Sequence, residues 1–157
     1  MIIAASVPAL GAGDRSQVGL TRFVEAQAST YSTALLEIRR GRKRTHWMWY
    51  VFPQIAGLGQ SDRAKIYAIA NLAEARAYLA HPILGPRLQK CVAALQDLAG
   101  NDAEQVFGTV DAAKLRSSLT LFVAAEGGSI FDAALRRWFG DPDALTLEIL
   151  AGQQLQS

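Results

Sequence analysis

The chain is poor in the residues that staple or metallate small domains: one cysteine, Cys91, and two histidines, His46 and His81, in 157 residues. A lone cysteine cannot close an internal disulfide, and the three residues stand at unrelated spacings, which excludes a zinc site of the finger or ribbon kind. No metal and no cofactor is expected, and the free thiol points to a reducing, cytoplasmic compartment. A membrane-spanning run is also lacking. The apolar stretch Met1–Gly13 has no charged start, is interrupted by Pro8 and is too short to cross a bilayer. Residues 1–15 read as a flexible leader. Alternating β-branched runs, Asn-Gly hairpin turns, internal repeats and low-complexity linkers are absent, so no strand pattern competes with a helical one.

What is present is a chain that is 50% hydrophobic and of single-domain length, enough to bury well over half the surface its unfolded form exposes. Capping residues mark off the helices. Leu20, Phe23, Val24 and Gln27 suggest a first helix, and Ser29 or Thr30 precedes a second over Tyr31–Arg40 that Gly41 ends. Ser61 can cap a helix over Asp62–Ala68, and Asn71 with Glu74 makes a capping box for one reaching Ala80, where His81-Pro82 stops it. Leu88, Cys91, Val92, Leu95 and Leu98 recur at helical spacing after Pro86, placing Cys91 in the core. Asn101, Asp111, Ser129 and Asp141-Pro142 read as the starts of four more helices. The expected fold is all-α: one compact domain over residues 16–152 with about seven to eight short helices, and a flexible tail at 153–157.

Net charge is +2, unevenly spread: residues 1–65 hold nine Lys/Arg against four Asp/Glu, residues 97–148 four against nine. Much of this asymmetry suits docking of the two halves on each other.

One segment departs from the helical pattern. His46-Trp47-Met48-Trp49-Tyr50-Val51-Phe52-Pro53-Gln54-Ile55-Ala56-Gly57-Leu58-Gly59 carries two of the three tryptophans, and Pro53 prevents one long helix. A short turn followed by an ordered loop is expected. Because buried indole N–H and phenol O–H groups need partners, a cluster this dense is either the centre of the core or the wall of a pocket.

The stretch Lys43-Arg44-Thr45-His46-Trp47-Met48-Trp49-Tyr50-Val51-Phe52-Pro53-Gln54 with Gly57-Leu58-Gly59 resembles the signature of the DUF1810 family of uncharacterised proteins. So do Glu74-Ala75-Arg76-Ala77-Tyr78-Leu79, His81-Pro82-Ile83-Leu84-Gly85 and Lys114-Leu115-Arg116-Ser117-Ser118-Leu119-Thr120-Leu121-Phe122, and the likeness extends over roughly residues 19 to 150. The resemblance implies a small all-helical fold and brings no established activity with it.

Among the polar residues, His46 is the candidate acid–base group, since imidazole exchanges protons near neutral pH; His81, before a proline at a helix end, reads as a terminal hydrogen-bonding group. Leu115, Leu119 and Phe122 form one helical stripe with Lys114 and Ser118 along its edge and Ser117 farther round. Lys114 and Ser118 at i, i+4 inside a helix make a poor nucleophile pair, and no G-x-S-x-G elbow or phosphate-binding glycine motif accompanies them. The site expected is therefore a ligand pocket made by Lys43, His46, Trp47, Trp49, Gln54, Lys114, Ser117 and Ser118. Its ligand would be a small anionic or phosphorylated molecule with a planar group, and the lysines would be surface groups without ion-pair partners. The alternative is an interaction module for nucleic acid or protein built on Arg39-Arg40-Gly41-Arg42-Lys43-Arg44, although no nucleic-acid-binding motif supports it.

Overall fold

The computed structural model describes residues 12–156, with side chains described from residue 19 to residue 155. The expected leader lies outside the described residues up to residue 11. Ten helices run through the described chain: α1 (Ala12–Ala28), α2 (Tyr31–Arg39), α3 (Met48–Val51), α4 (Asp62–Ile66), α5 (Leu72–Ala80), α6 (Leu84–Gln96), α7 (Ala103–Phe107), α8 (Thr109–Ala124), α9 (Ser129–Trp138) and α10 (Ala144–Gln156). The fold is all-α. Seven helices are at least seven residues long, and α3, α4 and α7 are single turns. No helix among the described residues is long and apolar enough to cross a membrane.

Several ends follow directly from side-chain caps. Ser61 Oγ accepts from Ala64 N–H at 3.2 Å, and Asn71 Oδ1 accepts from Glu74 N–H at 2.9 Å. Glu74 returns to Ala70 N–H at 2.8 Å, one residue upstream of the usual capping-box donor.

Other ends move by a residue or more, each for a local reason. Helix α6 starts at Leu84 rather than Pro86, because His81 Nδ1 accepts from Ile83 N–H at 3.1 Å and Leu84 N–H at 3.3 Å. Pro86 then sits in the first turn, where its missing donor is harmless. Asp102, not Asn101, caps α7 through Gln105 N–H. Gly108, at φ 82°, holds the cap position of α8, leaving Asp111 in the first turn with its carboxylate available. Asp143 caps α10, accepting from Thr146 N–H at 3.0 Å and Thr146 Oγ1 at 2.6 Å. Helix α10 continues to Gln156, and Gln153 Nε2 donates to Ala70 O at 2.8 Å.

Helix α8 is the axis of the fold. From Leu115 to Phe122 every residue but Arg116 is buried, and the helix packs against α9, α7, α5, α10 and α3. Enclosure on most sides of this stretch explains why serine and threonine side chains lie buried beside its apolar stripe. Two of its hydroxyls are absorbed by the preceding turn: Thr120 Oγ1 donates to Arg116 O at 2.8 Å and Ser117 Oγ to Lys114 O at 3.0 Å. The aromatic segment crosses the flank of this axis. An isolated parallel bridge joins Ile55 to Ile69, with Ala56 N–H on Ile69 O and Ile69 N–H on Gln54 O, both at 2.8 Å. Tyr50 O is held from below by Gln27 Nε2 at 2.7 Å and by Tyr78 OH at 3.1 Å, so the turn of α3 is anchored to α1 and α5.

Candidate functional site

The site is built around the exit from α2. Gly41, at φ 72°, turns the chain out of the helix, and Lys43 N–H donates to Val106 O at 2.8 Å, tying the segment to α7. Glu37, on the inward face of α2 and 7% exposed, accepts from Arg44 N–H at 2.8 Å, Thr45 N–H at 3.1 Å, Thr45 Oγ1 at 2.8 Å and Trp47 Nε1 at 2.9 Å. Burial by itself would raise its pKa; the donated hydrogen bonds outweigh burial and hold the carboxyl at about 2.

Side chains alternate along this stretch. Arg42 and Arg44 face solvent, whereas Lys43 turns inward, its side chain only 6% exposed. Lys43 Nζ lies 2.8 Å from Asp111 Oδ2 and 5.0 Å from the Trp47 ring centre. The other oxygen of Asp111 is 3.6 Å from Lys114 Nζ, which in turn lies 4.7 Å from the centre of the Trp49 ring. Arg63, from α4, places its guanidinium 5.2 Å from the same centre. Beneath them Gln54 Nε2 donates to Ser117 Oγ at 2.5 Å.

Six of the eight expected residues thus form one contact chain: Trp47, Lys43, Lys114, Trp49, Ser117 and Gln54, with Asp111 as its hub. Their positions correct the expected pocket in three ways. The lysines are not unpartnered, because Asp111 bridges them. Trp47 is 1% exposed, sandwiched among Phe52, Phe107 and Lys43, so it belongs to the core and offers a ligand no surface. Ser118 is fully buried, its Oγ without a partner among the described residues, so it offers a ligand no surface. His46 is exposed; its carbonyl accepts from Tyr50 OH at 2.9 Å, and its imidazole has no partner among the described residues. Trp49 remains half-buried, the indole of the segment that reaches the surface.

Three participants went unread in the sequence. Asp111 stands three residues before Lys114, an ion-pair spacing on a helix, but looks equally like a helix cap. Glu37 resembles any acid beside a basic run. Arg63 is brought over Trp49 only by the fold. Surface depressions also lie elsewhere; one of about 550 Å³ is bordered by Asp102, Arg116 and Trp138.

No curated protein matches the chain. Among solved structures, the crystal structure of a conserved hypothetical protein from Mycobacterium tuberculosis is 47% identical, with a TM-score of 0.82 covering 84% of this chain and 96% of that one. Residues 17–150 match the family described as a protein of unknown function, DUF1810, and the chain belongs to that family.

Proposed function

We propose that this DUF1810 protein, acting in the cytoplasm, binds a small anion with a planar group on the half-buried ring of Trp49. The observation that carries the reading is the pair of cations over that ring, Lys114 at 4.7 Å and Arg63 at 5.2 Å. Lys43 and Lys114 share a single carboxylate, Asp111, and Arg63 adds a third cation over the ring, so the cluster keeps an excess of positive charge. Lys114 is tethered to that carboxylate and is the fixed cation. Arg63 has no ion-pair partner among the described residues and sits on an exposed single turn, so it is the cation that a stacking ligand displaces. A planar group then replaces the guanidinium on the indole while the anionic group keeps it as a counter-ion. Gln54 and Ser117 hold the floor. Binding, not turnover, is the reading: His46 has suitable chemistry for proton transfer, but no second group among the described residues orients its imidazole.

AMP, adenosine and inorganic phosphate separate the two halves of this recognition. Saturable quenching of Trp49 fluorescence by AMP is expected, with adenosine and phosphate each much weaker. The response should vanish in Trp49→Phe and weaken several-fold in Arg63→Gln. Equal quenching by adenosine and AMP, or quenching that survives Trp49→Phe, overturns the reading.

A further inference from the structure

The basic run enters the site just described through Lys43 alone; Arg42 and Arg44 lie on the opposite side of the same stretch, just after Arg40 at the end of α2. Arg40, Arg42 and Arg44 converge with Thr33 and Leu36 on a depression of about 380 Å³ whose base is Glu37. All three arginines are exposed, and none has a side-chain partner among the described residues. The one acid in the depression cannot neutralise them locally. Both Glu37 oxygens are turned to donors within the loop, Oε1 taking Arg44 N–H, Thr45 N–H and Trp47 Nε1, and Oε2 taking Thr45 Oγ1. Three positive charges against one therefore leave the depression cationic.

The loop that carries them is also pre-organised. It is held from inside by Glu37, by Lys43 N–H on Val106 O, and by the Lys43–Asp111 ion pair. Arginines on a fixed backbone lose less freedom on binding than arginines on a mobile tail. Arg40 and Arg42 also border a second depression of about 550 Å³, lined by Leu98, Val106 and Gln105. The two arginines form the ridge between the two hollows.

We infer that Arg40, Arg42 and Arg44 form a binding site for the phosphoryl groups of a small phosphorylated ligand, separate from the Trp49 surface. Guanidinium groups suit this chemistry, since each offers paired N–H donors matched to two phosphate oxygens. A small ligand fits better than a polymer, because the charges gather around one hollow and do not extend as a stripe along a face.

Isothermal titration with tripolyphosphate at low salt tests this. Saturable binding is expected in the wild type, falling roughly fivefold to tenfold for each arginine replaced by glutamine. The triple variant Arg40→Gln/Arg42→Gln/Arg44→Gln should lose measurable binding with an unchanged melting temperature. If the triple variant folds poorly, Arg44→Gln alone serves, because only its backbone N–H holds Glu37. Lys90→Gln/Arg76→Gln/Arg136→Gln, which removes the same charge elsewhere, should bind like the wild type. No wild-type binding, or an equal loss in the charge-matched control, overturns the inference. A fluorescein-labelled U12 RNA that binds more tightly than tripolyphosphate overturns it in favour of a nucleic-acid surface.

Discussion

Replacing Glu37 with glutamine probes the loop that separates both proposed sites. The side chain keeps its shape but loses its charge, and its new NH₂ group faces N–H and O–H donors where a carboxylate oxygen accepted them. With the carboxyl shifted from an ordinary 4.5 to about 2, the ionised form stabilises the fold by about 3 kcal/mol at neutral pH. The folded-state pKa is depressed, so this stability is present above the unfolded value and is lost as pH falls toward the folded one. Between pH 7 and pH 3 the loss works out at about 2 kcal/mol. Urea unfolding, followed by circular dichroism and by tryptophan fluorescence, should show Glu37→Gln about 3 kcal/mol less stable at pH 7. The gap to wild type should narrow to about 1 kcal/mol at pH 3, with the urea slope unchanged. Other carboxylates titrate in both proteins and cancel in the difference. A gap that stays constant over this pH range would falsify the assignment of Glu37 as a buried anion held by its four donors.

Lys43→Met should destabilise the fold by about 3 kcal/mol, because it breaks a 2.8 Å pair whose lysine is nearly enclosed, whereas Lys114→Met should change stability by less than about 1 kcal/mol; equal melting shifts in the two variants would contradict the division between a buried and a surface partner. Acrylamide should quench Trp49 and spare Trp47 and Trp138, so that Trp49→Phe leaves emission almost unquenchable. Trp47→Ala should lose about 3–5 kcal/mol, and Trp49→Ala less than half of that, with the reverse order excluding the core assignment of Trp47. Cys91, whose thiol burial pushes up to about 12, should ignore Ellman's reagent at pH 8 in the native protein and react fully in urea; prompt labelling of the folded chain would show the thiol to be reachable.

The helical class, the order of the long helices and much of the core were legible in the sequence, because helix caps and apolar spacing are local properties of a few neighbouring residues. Asn71 with Glu74 marked the start of α5, Ser61 that of α4, and Cys91 fell on the buried face of α6. Where two candidates for one cap stood close together, local chemistry could not choose. Asp102 took the place of Asn101 and Asp143 that of Asp141, since each end settles where the packed helix leaves its N–H groups.

The candidate site divides along the same line. Aromatic density around Trp49 and the polar edge at Lys114 could be read from the chain, as could the chance that they meet. Which indole stays open, which lysine is enclosed and which acid joins them depended on residues far apart in sequence: Lys43 reaching Asp111, Arg63 reaching Trp49, and Gln54 reaching Ser117. Composition and local pattern by themselves determined that this protein is a helical domain with a dense aromatic loop. Only the tertiary structure decided that one tryptophan is core and the other surface, because burial and ion pairing are properties of the packed whole, and a side chain's charge or ring says nothing of what will be set against it.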